Sequence, residues 1–147
     1  MQVILNFKKG IVSLLLVMSS YADETWNFNT TVQGNKRAMF IVDAEFFKSI
    51  ETKVDADKNT DIEFRLKGRT SSSDSSWGTL DTKYYWNTSA LKSFKKTGGD
   101  NSQVNQKRYT TGYIKVKNRS SQNNFTRMRF IGTEREGSVN KERHTSY

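Results

Sequence analysis

Hydrophobic and polar residues alternate with a period of two along much of this chain. The clearest run is Ile-Glu-Phe-Arg-Leu at residues 62–66, in which every second residue is apolar. Such alternation is typical of a strand with one buried face. The pattern predicts strands at Trp26–Val32, Ala38–Val42, Ile50–Val54, Ile62–Leu66, Ile114–Val116 and Thr126–Phe130, with a less regular strand at Thr79–Trp86.

Segments rich in Gly, Asn, Asp and Ser separate these runs, as expected of turns. Short strands at this spacing predict an all-β sandwich or barrel. Two other stretches, Ala44–Ser49 and Ser89–Lys96, are each expected to form a short helical turn. The residues Glu134–Tyr147 are polar and lack alternation, so they are expected to form a frayed C-terminal tail unless a partner orders them.

The N-terminal residues 1–22 have the organisation of a secretory signal peptide. Lys8 and Lys9 precede an apolar stretch, Ile11–Met18, and small residues at 20 and 22 are suited to cleavage before Asp23. The alternative, a membrane anchor, needs about 20 apolar residues, more than this stretch supplies. We therefore expect an exported protein, found in the periplasm, on the cell surface or outside the cell. Residues 23–147 form its single domain.

The amino-acid composition excludes several kinds of catalytic and metal-binding site. The 147 residues contain no Cys and one His, His144, so disulfides, thiol nucleophiles and multi-His metal sites are excluded. Two carboxylate pairs, Asp43 with Glu45 and Glu134 with Glu136, have the residue types used in glycoside hydrolysis. Such pairs are common on exposed strands, so we expect a non-enzymatic protein without a cofactor.

The segment Asp55–Glu63 places carboxylates and an amide at alternate positions, as the start of a calcium-binding loop does. Thr60 and Leu66 stand where such a loop requires Gly and a bidentate Glu. The alternative is a β-hairpin turn that joins the Ile50–Val54 and Ile62–Leu66 strands, in which Asp and Asn are ordinary residues. We favour the turn and predict no metal site.

Charge is distributed unevenly along the chain, whose formal net charge is +9. The residues from Asp23 to Thr82 include 8 basic and 11 acidic ones, and those from Lys83 onward include 14 basic and 4 acidic ones. If Ile114, Val116, Met128 and Phe130 face the core, a hairpin through Asn118–Asn124 would present one basic stripe, consisting of Lys115, Lys117, Arg127 and Arg129. The stripe is a candidate site for an anionic partner or, alternatively, a solvated face.

Aromatic residues are frequent in the same basic half. Tyrosine and tryptophan beside Asn and Lys can stack on sugar rings or bases, whereas others must fill the core. The sequence does not separate these two sets among Tyr84, Tyr85, Trp86, Tyr109 and Tyr113.

A cleaved signal, an all-β domain of this size and the lack of catalytic residues resemble the subunits of bacterial chaperone–usher fimbriae. That resemblance implies an incomplete immunoglobulin-like β-sandwich that a neighbour's strand completes. Trp26, Phe28, Thr30 and Val32 would be the donated strand, or else an ordinary first strand. The chain departs from the family in having no Cys and no alternating strand at its C-terminus.

These observations predict a fimbrial subunit or adhesin that takes part in cell adhesion. Its partners would be neighbouring subunits or a periplasmic chaperone, with a host glycan as receptor. The alternative is a monomeric secreted or periplasmic module that binds an anionic glycan, lipopolysaccharide or another polyanion through the basic stripe.

Overall fold

The computed structural model describes residues 21–70, 78–98, 107–135 and 141–147. In these ranges the chain forms eight strands and no helix, and therefore no helix able to cross a membrane. The strands are β1 (Tyr21–Val32), β2 (Arg37–Ala56), β3 (Thr60–Thr70), β4 (Gly78–Thr88), β5 (Lys92–Thr97), β6 (Lys107–Asn118), β7 (Asn124–Arg135) and β8 (Lys141–Ser146).

The strand β2 belongs to two layers of the structure. Its first half, residues 37–43, lies between β6 and β8, and its second half, residues 49–56, lies between β7 and β5. One layer therefore has the order β8-β2-β6-β3-β4 and is called the β6 layer. The other has the order β1-β7-β2-β5 and is called the β7 layer. All these strand pairs are antiparallel. The predicted all-β sandwich is confirmed, because two layers of strands pack face to face in an immunoglobulin-like architecture.

The bend in β2 falls between Asp43 and Ser49, where its register with β6 and β7 shifts. The layers approach closely here, because a Cβ atom on Gly112 would lie 2.6 Å from Phe130 and 2.8 Å from Ile50. The predicted helical turn at 44–49 is therefore wrong. Phe47 pairs with both Tyr109 of β6 and Glu134 of β7, and this tertiary pairing on either side of the bend outweighs local preference.

The core lies between the layers and is mostly aliphatic and aromatic. Phe40 of the β6 layer and Phe130 of the β7 layer are fully buried, with ring centroids 5.0 Å apart. Removing one such side chain from water contributes about 1.5–3 kcal/mol. Trp26 packs edge-on against Phe47 at 5.8 Å and closes the core beneath the bend of β2.

Side chains from edge strands cover both open sides of the sandwich. On one side Phe28 of β1 stacks on His144 of β8, with ring centroids 4.3 Å apart. On the other side Phe94 of β5 stacks on Phe64 at 6.3 Å, and Tyr85 packs against the same ring. The second predicted helical turn, 89–96, is thus mostly strand: Lys92, Phe94 and Lys96 are half-buried and alternate with exposed neighbours.

The polar C-terminal residues form a strand where a frayed tail was expected. Backbone pairing with residues 38–43 of β2 holds β8 in the β6 layer. The side chains described in β8 are exposed, which explains the lack of an apolar alternation. Pairing here rests on backbone hydrogen bonds, on the His144–Phe28 contact and on the ion pair between Arg143 of β8 and Asp43 of β2. The predicted signal peptide lies outside the described residues except for Tyr21 and Ala22, which begin β1.

Three connections between the layers meet at one corner of the sandwich, and Asn118 ties two of them together. Its side-chain amide donates to the carbonyl oxygens of Val32, Gln33 and Gln122, at 3.0, 3.1 and 2.7 Å. Its side-chain oxygen accepts from the backbone N–H of Ser120 at 2.9 Å. Asn118 is buried, so these bonds replace the water that would otherwise solvate the turns.

Asn124 connects the third turn to the same corner. Its side-chain oxygen accepts from the Lys58 N–H at 2.8 Å, and its amide donates to the Lys58 carbonyl at 3.0 Å and to the Thr60 hydroxyl at 2.9 Å. The same amide lies 3.4 Å from the side-chain oxygen of Asn118. The two asparagines, here called the Asn118–Asn124 pair, thus join the β1–β2, β2–β3 and β6–β7 connections.

Replacing Asn124 with Ala should destabilise the protein by about 1–3 kcal/mol, because partly buried groups of Lys58 and Thr60 lose their partners. Urea unfolding monitored by tryptophan fluorescence measures this. The matched control is Asn123→Ala, an exposed neighbour that should change the free energy of unfolding by less than about 0.5 kcal/mol. Equal losses in both variants would contradict the role given to the pair.

Tyr109 gives the fold a dependence on alkaline pH. Its hydroxyl donates to the Asp81 carboxylate at 2.5 Å. Burial, followed by the hydrogen bond and negative charge of Asp81, raises the pKa of Tyr109 above its ordinary value of 10.0. The neutral phenol is therefore favoured in the folded state.

Stability should consequently fall as pH rises above about 10. The unfolded chain releases the Tyr109 proton near its ordinary pKa of 10.0, whereas the folded chain retains it to higher pH. The contribution is complete below that pH and is lost as pH approaches the raised pKa. Urea midpoints from pH 8 to 11 should decline less steeply in Tyr109→Phe than in wild type. Tyr147→Phe, at an exposed position, should keep the wild-type slope, and a Tyr109→Phe slope equal to wild type would contradict the assignment.

Candidate functional site

The predicted basic stripe is divided between opposite faces of the sandwich. Ile114, Val116, Met128 and Phe130 are fully buried, so the predicted facing of these strands is confirmed. The predicted hairpin is wrong, because β6 pairs with β2 and β3 whereas β7 pairs with β1 and β2. Lys115 and Lys117 therefore lie on the outer face of the β6 layer, and Arg127 and Arg129 lie on that of the β7 layer. The connection at residues 119–123 crosses between layers.

The two arginines of the β7 layer are engaged by neighbouring side chains. Arg127 pairs with Asp57 at 3.0 Å and with Asp55 at 3.7 Å, and Arg129 donates to the Asn27 side-chain oxygen at 3.0 Å. The two carboxylates balance the charge of Arg127, whereas the partner of Arg129 is a neutral amide. The outer face of the β7 layer is accordingly a weaker candidate for an anionic ligand.

Residues 57–59 connect β2 to β3, but the predicted β-hairpin is wrong, because the second half of β2 pairs with β5 and β7 whereas β3 pairs with β4 and β6 in the other layer. Asp55 and Asp57 lie beside Arg127, whereas Asp61 and Glu63 lie on the outer face of the opposite layer. Their carboxylates therefore do not converge as a calcium loop requires. Within the ranges that the structure describes, no three metal-ligating side chains are grouped.

Of the four carboxylates weighed for hydrolysis, the structure describes the side chain of Asp43. Asp43 accepts from the Thr111 hydroxyl at 2.8 Å and pairs with Arg143 at 2.5 Å. The side chains of Glu45, Glu134 and Glu136 lie outside what the structure describes.

A groove on the outer face of the β6 layer brings aromatic and charged side chains together. Its exposed wall is formed by Trp86 and Tyr84, which expose 71% and 46% of their surface. Their rings are parallel, with centroids 5.6 Å apart. The groove encloses about 210 Å³ and is lined by Arg37 of β2, Asp61, Ile62 and Glu63 of β3, Tyr84 and Trp86 of β4, and Lys115 and Lys117 of β6.

A β-bulge in β4 positions Trp86 at one end of this groove. One extra residue stands in β4 between the pairs Thr60–Thr88 and Ile62–Tyr85. Asn87 takes up the irregularity with a φ of 51°, in the left-handed region that Asn tolerates. Its N–H donates to Asp61 at 2.8 Å, so the bulge next to Trp86 is anchored to the neighbouring strand.

The acidic residues of the groove are paired, and its basic residues are not. Asp61 pairs with Arg119 at 3.5 Å, and Glu63 forms a close ion pair with Arg65. Lys115 lies opposite Glu63 in the sheet and Lys117 lies opposite Asp61, but neither ammonium is within ion-pair distance. In the described part of the chain, the side chains of Arg37, Lys115 and Lys117 have no hydrogen bond or ion pair, so the groove keeps unneutralised positive charge.

The structure separates the aromatic residues that the sequence left together. Tyr109 is buried and Tyr85 packs against the core, whereas Tyr84 and Trp86 face outward. Tyr113 also faces outward, but Arg65 lies 5.1 Å from the centre of its ring. The alternation of strand side chains could have predicted this separation. Tyr84 and Trp86 are two residues apart on one strand and share a face, whereas Tyr85 lies between them and points to the other face.

The four residues predicted for strand donation lie in β1, paired with β7 of the same chain. Trp26 is opposite Phe130, Phe28 is opposite Met128, and the strand forms an edge of the β7 layer. In the single chain β1 is thus the ordinary first strand that the alternation also allowed. Donation to a neighbour stays a prediction.

No family model and no curated protein matches this chain. Among similar solved structures, the Yersinia pseudotuberculosis-derived mitogen is 11% identical, with a TM-score of 0.38 over 80% of this chain and 96% of that one. The structure of Broad Bean Stain Virus is 12% identical, with a TM-score of 0.42 over 82% of this chain and 88% of that one. At this level of similarity neither structure informs the function.

Proposed function

We propose that this protein is a non-enzymatic, exported surface protein that binds glycans through the groove beside Trp86, in the manner of an adhesin. The observation that carries the proposal is the outward position of Trp86 and Tyr84. Neither ring is needed to fill the core, and a folded protein gains little by exposing a large apolar side chain unless a partner covers it.

The composition of the groove suits a sugar. The apolar C–H face of a pyranose ring packs on an aromatic face, and its hydroxyl groups both donate and accept hydrogen bonds. Asp61 and Glu63 supply acceptors, and Lys115 and Lys117 supply donors, around the aromatic wall. A few polar groups around an apolar surface are what orients a ligand in such a site.

Export is the second part of the proposal, and it rests on the signal-like residues 1–22. The outward groove is consistent with a role at the cell surface, where glycans are available. N-terminal sequencing of the mature protein should begin at or near Asp23, and an intact Met1 in the exported fraction would contradict export.

A fimbrial role is the second candidate, and β1 is the observation that favours it. This edge strand is paired on one side only in the described chain, and its inward residues Trp26 and Val32 are buried. A strand of this kind can be supplied equally by a neighbouring copy. Size analysis of the exported protein tests this: polymers or a complex with a chaperone support a subunit, and a lone monomer supports a free glycan-binding module.

Replacing Trp86 with Ala should weaken glycan binding about ten-fold or more, because a central aromatic contact is lost. Stability should change by less than about 0.5 kcal/mol, since the side chain is exposed. A glycan array identifies the saccharide bound by wild type, and calorimetric titration of that saccharide measures the loss.

The matched control is Leu91→Ala, which removes another large exposed apolar side chain away from this groove. It should bind as wild type does. A folded Trp86→Ala variant with wild-type affinity, or a wild-type protein that binds no saccharide on the array, would overturn the proposal.

A further inference from the structure

The charges around the groove indicate which class of sugar it would bind. Asp61 and Glu63 are neutralised by Arg119 and Arg65, which do not line the groove. The lining bases Arg37, Lys115 and Lys117 have no such partner among the described residues. The groove thus presents positive charge to its ligand, although its lining contains both acids and bases.

From this imbalance we infer that the ligand is an acidic saccharide, one that carries a carboxylate or sulfate group. This inference rests on the proposed function and names the class of glycan. The anionic group lies against Lys115 and Lys117, the hydroxyl groups donate to Asp61 and Glu63, and the C–H face of the ring packs on Trp86.

The same contacts argue against a nucleic acid. A phosphodiester backbone has no hydrogen-bond donor for Asp61 and Glu63, whereas a sugar supplies several hydroxyl donors. Nor can a base insert between the parallel rings. Contacts of about 3.5 Å on each side require ring centres about 7 Å apart, and those of Tyr84 and Trp86 are 5.6 Å apart.

The divided stripe provides a matched test. Lys115→Ala/Lys117→Ala removes two positive charges from the groove, and Arg127→Ala/Arg129→Ala removes two from the opposite face. Both variants have the same net charge. Each is titrated with sialyllactose as the carboxylated probe, with a heparin tetrasaccharide as the sulfated probe and with lactose as the neutral probe, at low and physiological salt. Thermal melting confirms that each variant is folded.

We expect wild type to bind at least one acidic probe about ten-fold or more tightly than lactose, as two charge-assisted contacts allow. The lysine variant should lose this preference, whereas the arginine variant should bind within about two-fold of wild type, since its charges are far from the ligand and screened. The probe that is preferred distinguishes a carboxylated from a sulfated ligand.

Equal losses in the two variants would overturn the inference, because they would show that only overall charge attracts the probes. Equal binding of lactose and the acidic probes by wild type would overturn it as well. In that case a loss of lactose binding in Trp86→Ala would leave the proposed glycan site intact. If Trp86→Ala binds every probe as wild type does, the proposed function itself fails.

Discussion

The sandwich depends on a network of buried hydrogen bonds at one corner. Three connections pass between the layers there, and each carries backbone groups that water would otherwise solvate. The Asn118–Asn124 pair supplies the missing partners from buried side chains, so that the three turns share one network of hydrogen bonds. Because β2, β3, β6 and β7 all begin or end at this corner, the network fixes how the two layers are aligned.

That alignment determines which chemistry each outer face carries. The β6–β7 connection crosses between layers, so the charged residues on either side of it, such as Lys117 and Arg127, end on opposite surfaces. On the β7 layer Asp55 and Asp57 balance the charge of Arg127, and Arg129 donates to the neutral side chain of Asn27. On the β6 layer Lys115 and Lys117 have no ion-pair partner among the described residues and lie in the groove beside the exposed rings. A sequence with one basic half thus folds into a protein with two chemically different faces.

Alternation predicted the strands other than β5, β8 and the bend of β2, and it predicted which of their side chains face the core. Ile114 and Val116 are buried and Lys115 and Lys117 face outward because a strand has a period of two. Alternation does not identify the partner of a strand, and residues 119–123 look like a hairpin turn although they join two layers. Asn118 follows positions 114 and 116 on the inward face of the strand. That spacing indicates a buried asparagine rather than an exposed turn residue.

Other features of the fold could not be predicted from the local sequence pattern. The strand β8 has no apolar alternation, since backbone pairing with β2 is its main support. The groove combines residues from β2, β3, β4 and β6, which only the strand order brings together. Residue types alone showed that aromatics and bases were abundant. Their separation into core and surface depended on which strands became neighbours.

The strand order also restricts when the chain can fold during its synthesis. Among the described strands, only β3 and β4 are neighbours both in sequence and in the sheet, whereas β1 must wait for β7, and β2 must wait for β5 to β8. Contacts between distant residues are formed slowly because the chain between them must first be closed into a loop. A ribosome would therefore complete most of this polypeptide before its first two strands could find their partners.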